Sequence, residues 1–419
     1  MLSKPKRPLA TDGHKLISDK RRIDSIDLLR GIVMVLMMLD HTRDFIHNAT
    51  QQFDPTDLSR TNVALFLTRW VTHFCAPVFV FLAGTGAYLQ LARGKSKSDL
   101  SRFLVTRGIW LIVLELTLVR MGMWFSFDVR MFGFLQVIWV IGVSMIVLAA
   151  LIYLPAKVVG AFGLAMIAFH NLLDHFRVTS WRGPGTPVPS FREKLWMVLH
   201  QAFEAFPIVA FPSPVVIVIY PLVPWIGVMA AGYAFGILYQ LDPERRRRLL
   251  VIIGTTATVL FVFVRQLDVY GDPAPWSIQK NAIYTALSFV NTTKYPPSLL
   301  FLLMTLGPAI IALAFFELWK GGGKVREFFV TFGRVPLFFY VLQWFTAHLI
   351  SVLLHLVFRK PVQWLFQTPI DWMGGVPNMG FNLVVVYVCW IAGVLLLYPL
   401  CRWFAGVKQR RSDWWLSYL

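Results

Sequence analysis

The stretch of this chain richest in reactive side chains lies in its first hydrophobic run. It reads Asp27-Leu28-Leu29-Arg30-Gly31, then a purely apolar segment, then Asp40-His41-Thr42-Arg43-Asp44. Ionisable groups in such a segment are costly and point to function by default. On a helix turning 100° per residue, with Arg30 at zero, His41 falls near about +20°, Asp44 near about −40° and Asp27 near about +60°. These four share a face, while Asp40 and Arg43 point elsewhere. The rise from Arg30 to His41 is roughly 16 Å, so the two side chains do not touch. That geometry suits an anionic donor such as acyl-CoA, held at Arg30 and delivering its reactive group to His41. A neutral imidazole beside a carboxylate can serve as general base near neutral pH, or as a nucleophile that forms an acyl-imidazole. Asp44 or Asp40 would orient it, and Arg30 would meet a phosphate. Arg107, at the start of the third span, is a second phosphate candidate. Taken singly, each of these charges also reads as an interhelical ion pair or an end cap.

Other polar residues extend the candidate cavity. Arg69 and His73 are four apart and share a face of the second span. Arg334 and His348 are fourteen apart on the ninth, nearly four turns, which predicts a second wall for the site. Gln343 lies between them. Glu115, in mid-span, is expected to find a basic partner, and Arg120 to snorkel toward an interface. Arg265, Asp268, Glu317 and His355 sit near span ends and read as anchors.

The elements that must hold these residues are membrane helices. Of the 419 residues 57% are hydrophobic, mean hydropathy is +0.61, and the apolar residues come in blocks near the length of a bilayer crossing. The predicted fold is all-α and polytopic, with about ten spans: 26–47, 63–91, 102–122, 131–153, 155–175, 214–239, 249–268, 298–319, 328–357 and 380–404. Helix is expected throughout them, because lipid offers backbone groups no other partner. Residues 191–211 read as an interfacial helix, with an eleventh crossing as the alternative.

The net charge of +18 points to membrane orientation rather than to nucleic acid. With the N-terminus inside, 24 of the 40 Lys and Arg residues fall on the cytoplasmic side and 10 outside. Both termini are therefore expected in the cytoplasm. The basic start, with Lys4, Lys6, Arg7, Lys20, Arg21 and Arg22, has no small-residue cleavage site, so the first span is expected to stay in the protein. The expected organisation is a basic tail over 1–24, one membrane domain over 25–405 and a short tail over 406–419. Cys75, Cys389 and Cys401 are scattered apolar packers without a CxxC pair, and no metal is expected. Gly321-Gly322-Gly323 lacks the spacing and ending of a phosphate loop. The gaps 176–213 and 269–297, rich in Pro, Gly and aromatics, are predicted lids over an outward-facing cavity.

Arg30, ten residues, then His41 resembles the Arg-x10-His pattern of bacterial membrane O-acyltransferases. More widely, Ser25-Ile26-Asp27-Leu28-Leu29-Arg30-Gly31 and Ala76-Pro77-Val78-Phe79-Val80-Phe81-Leu82-Ala83-Gly84 resemble the catalytic-domain family of heparan-alpha-glucosaminide N-acetyltransferase. So do Pro224-Trp225-Ile226-Gly227-Val228-Met229, Tyr295-Pro296-Pro297-Ser298-Leu299-Leu300 and Gly333-Arg334-Val335-Pro336-Leu337-Phe338-Phe339-Tyr340, in a resemblance covering roughly 23–405. It implies acetyl transfer from cytoplasmic acetyl-CoA to a glycan or amino-sugar acceptor on the far side, in a bacterial inner membrane. Carried over from the O-acyltransferase pattern, the active residue is His41, with His47 a neighbouring candidate. Gln343 stands where many relatives are expected to carry His, which keeps a non-enzymatic membrane subunit in view. A proton-coupled transporter or lipid-handling protein, using the first-span charges as a relay, is the alternative. Oligomeric state is left open.

Overall fold

Among the described residues, seven helical segments are long and apolar enough to cross a membrane: Val63–Ala92, Ala156–Leu173, Leu222–Gln240, Pro243–Leu267, Leu299–Leu318, Pro336–Val357 and Leu383–Arg410. They belong to a computed structural model that describes residues 23–49, 52–209, 213–319, 321–371, 380–411 and 413–418, with helix making up 69%. The basic run from Lys4 to Arg22 lies outside the described residues. This is a mostly helical integral membrane protein.

Helix α1 (Asp24–Ile46) stands apart from the seven because of its charges. At 23 residues it measures about 34 Å, long enough to cross a hydrocarbon core. It is surrounded by protein rather than lipid. Leu28, Met34 and Met38 are fully buried, and α1 packs on α2 (Val63–Thr72), α3 (Cys75–Ala92), α12 (Leu299–Leu318), α13 (Lys324–Arg334), α14 (Pro336–Val357) and α15 (Leu383–Arg410). Polar groups are tolerated in such a helix because neighbouring helices supply their partners. The approach to α13 is close: a Cβ on Gly31 would meet the Phe329 carbonyl, and one on Gly333 the Asp27 carbonyl. Only glycine lets the two backbones come that near. The outer helices show the converse pattern. Between Pro243 and Leu267, α10 exposes Val259, Leu260, Val262 and Phe263, and α15 exposes Val388, Leu395 and Leu396, the composition of a lipid-facing surface.

Sequence punctuation sets several helix starts. The Asn62 side chain caps α2, and Ser96 caps α4 (Lys97–Leu114), which continues through a π-helical turn at Glu115–Val119 into α5 (Arg120–Trp124). Asp242, followed by Pro243, starts α10, and Ser298 and Asn382 cap α12 and α15. The remaining helices are α6 (Val137–Leu151), α7 (Ala156–Phe169), α8 (Phe191–Leu199), α9 (Leu222–Phe235) and α11 (Ala282–Val290).

Three sequence-based expectations are corrected. The spans at 131–153 and 214–239 do not begin as helix. Their first residues form strands β1 (Met131–Leu135) and β3 (Val215–Val218), and β3 lies between β1, parallel to it, and β2 (Glu204–Pro207), antiparallel to it. The β-branched run Val215-Val216-Ile217-Val218, between Pro214 and Pro221, satisfies its backbone through the Phe134–Ile217 and Phe206–Val216 pairings. The expected interfacial helix over 191–211 ends at Leu199, after nine residues, and so is too short for an eleventh crossing. Finally, 328–357 is two helices. Val335 leaves helical geometry at φ −130° and Pro336 opens α14, as expected of a residue before proline.

Candidate functional site

The polar end of α1 forms a tight ionic cluster. Arg43 Nη2 donates to Asp40 Oδ1 at 2.9 Å and to Asp44 Oδ1 at 2.5 Å, while Arg69 on α2 pairs with the other oxygen of Asp40. Arg69 also donates to the Tyr295 hydroxyl at 3.4 Å. Asp40 and Asp44 are thus committed to guanidinium groups. His41 is held differently: its ring stacks on Trp344 of α14 at 3.7 Å between centroids, and Tyr340 approaches edge-on at 6.2 Å. His41 Nδ1 is buried with no hydrogen-bond partner among the described residues. The expected orientation of His41 by Asp44 or Asp40 is therefore not the contact found; an aromatic stack takes that place.

These residues line a cavity of about 600 Å³. α1 contributes Asp40, His41, Arg43 and Asp44, and α2 contributes Arg69. The small sheet supplies another wall, through Phe134 at β1 and Phe203 before β2, with Gln136 and Tyr220 beside the strands. Lys294 and Tyr295 enter from the loop before α12, with the Lys294 ammonium 5.1 Å from the Tyr295 ring centre. Both predicted lid segments thus contribute walls. The 269–297 loop is braced from below: Arg265, 1% exposed, donates to the carbonyls of Ala274, Ser288, Phe289 and Asn291. Asp272 accepts from the Thr293 amide and hydroxyl and from the Ser298 hydroxyl. Arg265 is more than a membrane anchor; it organises the loop that delivers Lys294.

A second, smaller cavity of about 240 Å³ is lined by Arg30, Gln90 and Arg107 and by apolar side chains including Met34, Phe79, Ile138 and Tyr340. Arg30 pairs with Asp27 at 3.3 Å, and Arg107 donates to the Ser417 carbonyl. Met37 and Val137 line both cavities. Arg30 and His41 thus sit in adjoining chambers along α1.

Other predicted residues fall outside this arrangement. His73 is buried against Phe301, with ring centres 5.4 Å apart, and lines neither cavity. His348 Nδ1 donates to the Gly122 carbonyl oxygen at 3.0 Å, and the ring lies between Phe125 and Phe45, at 4.0 and 4.6 Å. The expected wall formed by Arg334 and His348 is corrected by the helix break at Val335, because residues on two helices share no face. Arg334 instead ends α13 and reaches toward Asp24 at 3.8 Å. Gln343 is fully buried on α14, and both its amide atoms lack a hydrogen-bond partner among the described residues. Glu115 accepts from the Trp139 amide at 3.1 Å instead of pairing with a base, and Arg120 holds the carbonyls of Met131 and Asp128.

Lys294, Gln136 and Trp344 belong to the cavity although sequence reasoning did not place them there. For Lys294 a signal was available: a lone Lys directly before Tyr295-Pro296-Pro297, at the mouth of an apolar helix.

Residues 22–270 match the family described as heparan-alpha-glucosaminide N-acetyltransferase, catalytic. No curated protein matches the chain. The family match begins just before α1, takes in Arg30, His41, Arg69 and Arg107, and covers more than half of the 419 residues. The chain belongs to the heparan-alpha-glucosaminide N-acetyltransferase catalytic family, a family of transmembrane acetyltransferases.

Proposed function

We propose that this protein takes an acetyl or other acyl group from cytoplasmic acyl-CoA and passes it to a sugar acceptor on the outer face of a bacterial inner membrane. In this reading the chain crosses about ten times with both termini in the cytoplasm, and residues 25–405 act as one unit. The single observation that carries the proposal is the adjoining pair of chambers, one lined by Arg30 and Arg107 and the other by His41, with Met37 and Val137 common to both.

At about 240 Å³ the inner chamber is below the usual size for a whole drug-like ligand, so it suits a slender arm rather than a nucleotide. Its apolar lining would take the pantetheine portion of the donor. Arg30 and Arg107 would pair with phosphate at the entrance. The thioester would then lie toward Met37 and the His41 end of α1.

The outer chamber suits an uncharged, polyhydroxylated acceptor. Its acidic residues Asp40, Asp44 and Asp54 are matched by Arg43, Arg69 and Lys294, and Trp344, Tyr220 and Tyr295 offer flat apolar faces. In direct transfer the acceptor oxygen or nitrogen attacks the thioester carbonyl and the carbon–sulfur bond breaks. His41 takes the proton that the acceptor loses and returns it to the departing sulfur, so that CoA leaves as the thiol. In the covalent variant the His41 imidazole attacks the thioester carbonyl, the carbon–sulfur bond breaks with release of CoA, and the acceptor then displaces the imidazole from the acyl carbon.

The test is transfer of radiolabelled acetyl from acetyl-CoA by purified protein in lipid nanodiscs, with a mixture of amino sugars and neutral glycans as acceptors. His41→Ala should lose on the order of 10²–10⁴ in rate while keeping acetyl-CoA binding. Folded wild-type protein that neither binds acetyl-CoA nor transfers would replace this reading with transport.

A further inference from the structure

At the outer end of α7 the chain turns through His170–Asp174, and the end of α8 brings His200 back onto it. His170 and His200 are 2% and 3% exposed. His200 Nε2 lies 3.4 Å from His170 Nδ1, 3.1 Å from the His170 carbonyl oxygen and 3.8 Å from Asp174 Oδ1. One donor atom from each of the three side chains lies within 4.8 Å of the others.

Hydrogen bonding alone leaves this cluster incompletely explained. Without a metal, a proton on His200 Nε2 serves the His170 carbonyl, a proton that a bound ion would replace, and the 3.8 Å separation from Asp174 is too long for a hydrogen bond. Two imidazole nitrogens and one carboxylate oxygen form a donor set suited to zinc. Tetrahedral zinc, with ligands at about 2.0–2.2 Å, sets neighbouring donor atoms roughly 3.3–3.6 Å apart. The separations of His200 Nε2 from His170 Nδ1 and Asp174 Oδ1, 3.4 and 3.8 Å, already lie at or near that spacing.

The surroundings are those of an oriented site. Asn171 Nδ2 donates to Asp174 Oδ2 at 2.7 Å, which leaves Oδ1 toward the histidines, and Asn171 Oδ1 accepts from the Leu299 amide at 2.9 Å. Such outer partners hold first-shell ligands in place. Trp196 stacks on the His200 ring at 5.6 Å.

We propose that His170, Asp174 and His200 bind one divalent transition-metal ion of the zinc type, with solvent in the fourth position. The ion would join the end of α7 to the end of α8. Three residues beyond His200, Phe203 packs edge-on against Tyr295 at 4.9 Å, so the clasp would steady one wall of the larger cavity without entering the transfer chemistry. The inference is independent of the acyltransferase reading.

The experiment uses the full chain in nanodiscs, stripped with a chelator, dialysed and reloaded with Zn²⁺ or Co²⁺. One Zn²⁺ per chain by elemental analysis, a rise in unfolding temperature reversed by chelator, and visible Co²⁺ absorption of tetrahedral intensity are expected. Asp174→Asn and His200→Gln should each weaken Zn²⁺ at least tenfold, and Asn171→Ala by about tenfold. Well under one Zn²⁺ per wild-type chain at saturating metal, or wild-type affinity retained in Asp174→Asn and Asn171→Ala, would overturn the proposal. The wild-type cobalt spectrum decides the matter even if His200→Gln does not fold.

Discussion

A single methyl group on Gly333 tests whether the seating of α1 governs the site. A Cβ there would fall on the Asp27 carbonyl oxygen, 2.6 Å from its carbon and 3.0 Å from the Gly31 nitrogen, whereas ordinary contact begins at 3.4 Å. All three are backbone atoms, so no side chain can rotate away. The helices must separate by roughly 1 Å, at an overpacking cost of about 1–3 kcal/mol. Because α1 carries both Arg30 and His41 while Trp344 belongs to α14, that separation shifts the imidazole against its stacking partner. A misplacement of about 1 Å costs on the order of 10²-fold in rate. Gly333→Ala should therefore lower the unfolding temperature by a few degrees and cut acetyl transfer about a hundredfold. Gly321→Ala, which has open space around it, should do neither. The reasoning fails if Gly333→Ala unfolds and turns over like wild type.

Other perturbations address separate links. Arg43→Met removes the partner of the half-exposed Asp44 and one of the two guanidinium partners of Asp40, which keeps Arg69, and should destabilise by about 1–3 kcal/mol in denaturant titrations. Arg265→Met leaves four backbone carbonyls without their guanidinium partner and should loosen the 269–297 loop, seen as faster amide exchange around Lys294 with little change at α1. Arg30→Ala combined with Arg107→Ala should raise KM for acetyl-CoA at least tenfold and change kcat far less, the signature of lost ground-state binding in steady-state kinetics.

Much of the architecture was legible because membrane helices announce themselves by long apolar blocks, and the helical rise that set Arg30 and His41 apart on one face of α1 matches their lining of different cavities. The wheel misjudged Arg43. Its Cα direction differs from that of Asp44, yet a flexible guanidinium reaches carboxylates three residues back and one ahead. The strands at 131–135 and 215–218 were hidden because a short apolar run has no period that separates a buried strand from helix. By contrast, Pro336 was visible, and reading it as a helix start would have removed the Arg334–His348 face. Lys294 and Gln136 reach the cavity only through loop and sheet placement, which is tertiary information that no local spacing carries.

Met37 offers the sharpest test of transfer between chambers, because it lines both and lies one helical turn before His41. If the acyl group passes beside this side chain, Met37→Trp should obstruct the passage while leaving the Arg30 and Arg107 entrance intact. Acetyl-CoA affinity, measured by equilibrium binding, should then stay within about threefold, and transfer should fall on the order of 10²-fold. Met37→Leu, close in volume and equally apolar, should preserve both. A transporter that uses the α1 charges as a relay would show another pattern, with no acetyl-CoA affinity to preserve in either variant. Transfer that persists at the wild-type rate in Met37→Trp would mean that donor and acceptor meet elsewhere. The adjacency of the two chambers would then be a packing feature of α1 rather than the route of the reaction.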